Sequence, residues 1–232
     1  MKLDFHEIAT LMDFSAVRTE NTESEIRSLV AAAQNHQSHS VFVLPSNVQL
    51  TRELLGDNST IALGSVVGFP SGGNTTAAKT AEALELKELS CDELDMVINV
   101  GQLLSGNFQA VYDDIKSVVD SAGDLGVKVI LECHYLNDQQ IIKGCQLSID
   151  AGAAYVKTAT GWAPTGATAA NIALIKSMVG DRVNIKAAGG IRSLDTLIQL
   201  YQLGARRFGV GLQAGLDIIE QCAAAPGGVV EV

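Results

Sequence analysis

The sequence predicts an α/β protein folded as a single (β/α)8 TIM barrel over residues 1–232. Three observations lead there. Short runs rich in Val and Ile alternate with longer amphipathic segments, the pattern of βα units around a parallel sheet. Eight such runs can be counted, which is the barrel number. The 232 residues also suit one barrel domain, with no Pro-rich, Ser-rich or charge-block linker to divide them.

The predicted strands are 11–13, 41–44, 62–68, 93–98, 127–132, 155–158, 183–187 and 206–209. Between them lie helical segments with local start signals. Thr22 and Glu25 form a capping box ahead of Ile26, Leu29 and Val30. A second helix begins near Asn107, where Phe108, Val111, Ile115, Val118 and Val119 share one face. Others begin near Thr76, Asp138, Thr168 and Ser193. A doubly wound open sheet has the same alternation, but its dinucleotide fingerprint and P-loop are both missing after the first strand.

Hydrophobic content of 47% against 18% charged residues supplies one sizeable core. A formal charge of −10 repels phosphate backbones and anionic lipid, so neither nucleic acid nor a membrane surface is an expected partner. A small phosphorylated substrate is still compatible, because backbone amides and a few local cations hold phosphate inside acidic proteins. Cys91, Cys133, Cys145 and Cys222 show no paired spacing and read as reduced thiols. His6, His36, His39 and His134 form no metal-binding pair, so no metal is expected. The first residues lack the basic start and apolar run of a signal peptide, and no apolar run reaches membrane-spanning length. A soluble cytoplasmic protein is the expectation.

Functional residues of a barrel lie at the C-terminal ends of its strands. Lys157 closes one apolar run, Lys186 closes the next, and Asp95 lies inside a third. The lysines are 29 residues apart, about one βα unit, which puts them on adjacent strands. Burial and like charge both disfavour an ammonium, leaving a free amine able to attack a carbonyl. Asp95 is placed to move the protons, directly or through water. A lone strand-end lysine is as a rule solvated or ion-paired, and a lone strand aspartate is often structural. It is the trio that suits aldol chemistry.

Glycine-rich turns follow several strands, among them Thr160-Gly161, Gly189-Gly190-Ile191-Arg192 and Gly209-Val210-Gly211. Glycines let amides approach an anion, and barrels often bind phosphate after strands 7 and 8, although tight turning alone accounts for many such glycines. Trp162 follows the Lys157 strand, where it either walls the pocket or simply packs.

The stretches VVGFPSG (66–72), ELDMVINVGQLLSGN (93–107), KVILE (128–132), AGAAYVKTATGW (151–162) and IKAAGGIR (185–192) resemble the deoxyribose-phosphate aldolase family. The resemblance runs from about residue 11 to 211. It implies Lys157 as the Schiff-base lysine, Lys186 as the lysine that perturbs it and Asp95 as the proton relay. It also implies reversible cleavage of 2-deoxyribose 5-phosphate to glyceraldehyde 3-phosphate and acetaldehyde, no metal or organic cofactor, and often a homodimer. Asp13 and Ser15 match family residues that line the substrate pocket. With them, Thr158, Gly161, Gly189, Gly190, Ile191, Arg192, Gly209 and Gly211 form the expected substrate-binding set.

Departures from the family pattern also occur. No serine follows Gly209, where relatives use hydroxyls to hold phosphate; Phe42 stands at a common Cys, Trp162 at a common Phe or Lys, and the tail lacks a C-terminal Tyr. Two alternatives remain open at this point: a Schiff-base aldolase acting on another or non-phosphorylated aldehyde, and a non-catalytic barrel that binds a sugar phosphate. The second has no need of two lysines.

Overall fold

Alternation of side chains along each strand sorts this chain into two interiors. A computed structural model describes residues 1–57 and 59–232. The chain starts with β1 (Lys2–Asp4) and α1 (Phe5–Thr10), then enters β2 (Met12–Ala16), α2 (Glu23–His36), β3 (Ser40–Val43), α3 (Val48–Leu55) and β4 (Ala62–Val67). It continues through α4 (Thr76–Glu88), β5 (Glu93–Val97), α5 (Val100–Leu104), α6 (Phe108–Ala122) and β6 (Gly126–Ile130). Then come α7 (Asp138–Asp150), β7 (Tyr155–Lys157), α8 (Ala169–Val179), β8 (Asn184–Ala188), α9 (Leu194–Gln202), β9 (Arg207–Gly211), α10 (Leu212–Ala223) and β10 (Val229–Glu231).

Strands β2 to β9 form the predicted barrel, each pairing in parallel with the next and β9 closing on β2. Two strands were not foreseen. β1 and β10 pair antiparallel outside the barrel and bring residues 2–4 against 229–231. The first barrel strand is also displaced from its predicted bounds, covering Met12–Ala16 instead of 11–13, which puts Ser15 inside the strand.

The helix starts follow local chemistry. Thr22 makes the full capping box with Glu25, and Thr75, Thr168 and Ser193 each accept a backbone N–H at their helix starts. Asn137 makes another capping box with Gln140, one residue before the predicted start. Asn107 precedes α6 without a side-chain cap. That helix is held by its buried face, Val111, Ile115 and Val118.

Met12, Phe14, Val41, Val43, Leu63, Leu94, Met96, Val129, Val156, Ile185 and Phe208 face outward and merge with the helices in one apolar cluster. The alternate positions face the barrel axis, and many of them are charged. Asp13, Asp95, Lys128, Lys157, Lys186 and Arg207 are all buried there. Barrel interiors are usually filled by branched apolar residues. Here the strand–helix shell carries the apolar burial, leaving the axis to a charge network. All four cysteines are free and buried, and among the described residues no helix is long and apolar enough to cross a membrane.

Candidate active site

Strand register builds the site. Asp95 is the partner of Lys128, Ile130 of Lys157, Lys157 of Lys186, and Lys186 of Arg207. Lys157 and Lys186 each donate to Asp95 Oδ2 at 2.7 Å. Lys186 Nζ also lies 2.7 Å from Asp13 Oδ2, and Asp13 Oδ1 accepts from Ser40 and from Arg207. Below Asp95, Lys128 Nζ sits 3.6 Å from its Oδ1 and 2.7 Å from Glu93 Oε2. The Phe42 ring lies against the amines, its centroid 3.7 Å from Lys186 Nζ and 4.7 Å from Lys128 Nζ.

Burial sets the electrostatics. It pushes the Lys157 amine down, Asp95 pulls it back up and Lys186 lowers it again, leaving its pKa at about 8. Burial would raise the Asp95 carboxyl, but the ammonium groups of Lys157, Lys186 and Lys128 outweigh it and hold the pKa at about 2. Burial opposes the charge on Lys186 too, yet Asp13 and Asp95 keep its pKa above the usual lysine value. Lys128 is lowered, chiefly by burial. Asp13, Glu93 and Asp95 supply three negative charges against four possible positive ones on Lys128, Lys157, Lys186 and Arg207. Loss of one amine proton balances the network, and unbalanced buried charge is costly. Both Lys157 and Lys186 line the pocket, and Lys157, which lacks the contact that Lys186 makes with Asp13, is the one whose proton is loosened.

The expected like-charge effect of Lys186 on Lys157 therefore ranks behind burial. Asp95, read from sequence as a proton relay, also opposes the lowering.

A cavity of about 310 Å3 opens above these amines, lined by Ser15, Asp95, Lys157, Gly161, Lys186, Gly189, Gly190, Ile191, Arg192, Gly209 and Gly211 among others. Two expected pocket residues are not on its surface. Asp13 is fully buried beneath Lys186, and Thr158 is fully buried with its hydroxyl bonded to the backbone of Ala188. Asp13 is taken up by the charge network on the axis and Thr158 by the barrel wall. Ser15 donates to Val210 O at 3.0 Å. Gly189 has φ of 87°, and a Cβ there would lie 2.9 Å from Gly166 Cα, so the turn after β8 requires glycine. The backbone amides of Gly190, Ile191 and Arg192 donate to no group among the described residues.

Lys128, Glu93, Arg207 and Arg18 were missed in the sequence. Lys128 had a signal: it interrupts Val127-Lys128-Val129 as Lys157 interrupts its own strand. Thr160, which was quoted only as part of a turn, lines the pocket and donates to Glu132, whose backbone is left-handed with φ of 54°. Trp162 lies beside the cavity, over a neighbouring apolar hollow with Tyr135 and Leu104.

Residues 6–221 match the model of the DeoC/LacD family aldolases. The chain belongs to this family. As a DeoC/LacD aldolase it is a carbon–carbon lyase, and its close relatives agree along nearly their whole length. A protein of Rhizobium meliloti named deoxyribose-phosphate aldolase is 42% identical over 97% of this chain and 91% of its own. One of the same name from Methanothermobacter thermautotrophicus is 43% identical over 92% and 94%. The solved structure of deoxyribose phosphate aldolase from Aeropyrum pernix, described as a unique tetramer, superposes with a TM-score of 0.84 at 27% identity, covering 96% of this chain and 93% of that one.

Proposed function

We propose that this chain, acting as one aldolase domain over residues 1–232, reversibly cleaves 2-deoxyribose 5-phosphate to glyceraldehyde 3-phosphate and acetaldehyde through a Schiff base on Lys157. The observation that carries the mechanism is the single oxygen of Asp95 at 2.7 Å from both Lys157 and Lys186 at the pocket floor. The names of the relatives support the substrate.

The neutral Lys157 amine attacks C1 of the open-chain sugar, and loss of water from the carbinolamine leaves a protonated imine. That imine withdraws electrons as the C2–C3 bond breaks. The C3 hydroxyl gives up its proton and departs as the aldehyde of glyceraldehyde 3-phosphate. The remaining enamine takes a proton at C2, and water releases acetaldehyde and the amine. Asp95 serves these transfers directly or through water, as a carboxylate that the surrounding ammonium groups keep ionised. Lys186 stays protonated and holds Asp95 in place. The turn at Gly189–Arg192 and the end of β9 at Gly211, which is strand and not the turn expected over 209–211, receive the phosphate on backbone amides. A cytoplasmic homodimer goes with this reading, and light scattering after size exclusion tests the oligomer.

The decisive experiment is borohydride trapping with acetaldehyde followed by peptide mapping. The expected result is a single ethyl adduct on Lys157. An adduct on another lysine, or none in a protein that cleaves the sugar, refutes the mechanism.

A further inference from the structure

Arg18 and Arg192 are the two arginines lining the pocket. Arg18 stands two residues beyond the end of β2 and reaches across to the loop after β7. Its Nη2 donates to Gly161 O at 2.6 Å, and its guanidinium carbon lies 5.3 Å from the centroid of the Trp162 ring. Trp162 returns the contact, its Nε1 donating to Val17 O at 3.0 Å. Two hydrogen bonds running in opposite directions, with a cation–π contact between them, thus tie the two loops together.

The place of this clasp matters. In barrel order only β8 and β9 stand between β7 and β2 on that side. The residues that follow or end them, Gly189 to Arg192 after β8 and Gly211 at the end of β9, line the cavity, and the amides of Gly190, Ile191 and Arg192 donate to no group among the described residues. The clasp therefore spans the rim above them.

The local charge opposes that of the whole molecule. A chain of net charge −10 lines this pocket with Arg18, Lys157, Lys186 and Arg192 against one carboxylate, Asp95, which already accepts from two lysines. Side-chain hydroxyls have little left to offer, since Ser15 donates to Val210 O and Thr160 to Glu132. An anion at the rim meets backbone amides and guanidinium groups. Arg18 is solvent-exposed and currently spends a charged donor on a neutral carbonyl. The present bond is charged on the donor side alone, whereas a phosphate brings the opposite charge and a pair of oxygens that match the guanidinium fork, so it outcompetes Gly161 O for Arg18.

We propose that Arg18 is a phosphate ligand and specificity-determining residue of this site. On binding, its guanidinium exchanges the Gly161 carbonyl for phosphoryl oxygens of the substrate, while the Trp162 face keeps it over the rim. The inference rests on the reading of the chain as an aldolase of a phosphorylated sugar.

The test compares wild type with Arg18→Gln and Arg18→Lys. It measures kcat/KM for 2-deoxyribose 5-phosphate and for 2-deoxyribose, together with competitive inhibition by inorganic phosphate; thermal unfolding checks the fold. Arg18→Gln is expected to shrink the preference for the phosphorylated sugar about 10- to 100-fold, mainly through KM, and to weaken inhibition by phosphate in parallel. Arg18→Lys should fall between the two, since charge survives and the planar fork does not. Equal losses on both sugars would mean that the clasp only holds the loops, which overturns the proposal. An unchanged preference in Arg18→Gln overturns it as well, and leaves the substrate reading standing. A wild type that cleaves neither sugar, or does not prefer the phosphorylated one, overturns the substrate reading and this inference with it.

Discussion

Lys157 and Lys186 are register partners on β7 and β8, and one oxygen of Asp95 accepts from both. The two lysines differ in everything else that matters. Lys186 has a second carboxylate, Asp13, and keeps its proton; Lys157 has only the shared one and gives its proton up near pH 8. One is suited to be a fixed cation and the other a nucleophile, although both are lysines at equivalent strand positions.

Lys157→Ala removes the amine at the pocket floor. Borohydride-dependent labelling and aldol cleavage are both expected to fall to background, while the thermal midpoint stays near that of wild type. Mass spectrometry after trapping checks this, and undiminished labelling moves the nucleophile elsewhere.

The two neighbours of Lys157 predict opposite pH shifts. The attacking form is the free amine, so kcat/KM for wild type rises with pH and levels off above about 8. Lys186 lowers the Lys157 pKa, so Lys186→Leu moves that rise to higher pH. Asp95 raises it, so Asp95→Asn moves the rise to lower pH, and turnover drops on the order of 10²-fold for loss of the proton carrier. Shifts in the same direction for both variants would contradict this account of the charge network.

The lysines and Asp95 were legible because a charge inside an apolar strand is an anomaly that only burial with a partner explains. By that logic Lys128 was equally legible. Its role depends on register, which sets it opposite Asp95, and register cannot be read from one strand alone. The pairing of β1 with β10 was out of reach for a related reason: each has three residues, and their contact spans nearly the whole chain. Thr158 was misplaced by one step of alternation. Neighbours on a strand point to opposite sides, so the residue after an inward Lys157 turns into the wall.

Phe42 on β3 and Gly64 on β4 form a matched pair of register partners. A Cβ at Gly64 would lie 2.2 Å from Phe42 Cζ. Gly64→Ala should therefore cost about 1–3 kcal/mol of stability, the usual range for overpacking a core. Adding Phe42→Leu should recover part of that loss, so the double variant is more stable than the sum of the single changes allows. Denaturant unfolding of the four proteins checks the cycle; strict additivity would mean that the ring yields without cost.

The junction of β9 and α10 carries no side-chain hydroxyl at Gly211 or Leu212, and the structure leaves room to add one. Gly211 has φ of −72°, accessible to any residue, and nothing lies within 4 Å of a Cβ placed there. It is also the N-cap of α10 and provides no side-chain cap. A serine fits without strain, and its hydroxyl lies at the pocket rim, where the cavity already touches Gly211. A hydrogen bond to a charged group is worth roughly 1.5–3 kcal/mol, so Gly211→Ser with Leu212→Ser should raise the preference for 2-deoxyribose 5-phosphate over 2-deoxyribose about tenfold or more. The cap itself adds only a few tenths of a kcal/mol, because glycine is already tolerated at that position. A large gain in thermal stability would then indicate rearrangement rather than a new donor. The ratio of kcat/KM for the two sugars decides the matter: if the double variant discriminates no better than wild type, the backbone amides with Arg18 and Arg192 already satisfy the phosphate, and the absent hydroxyls cost this enzyme nothing.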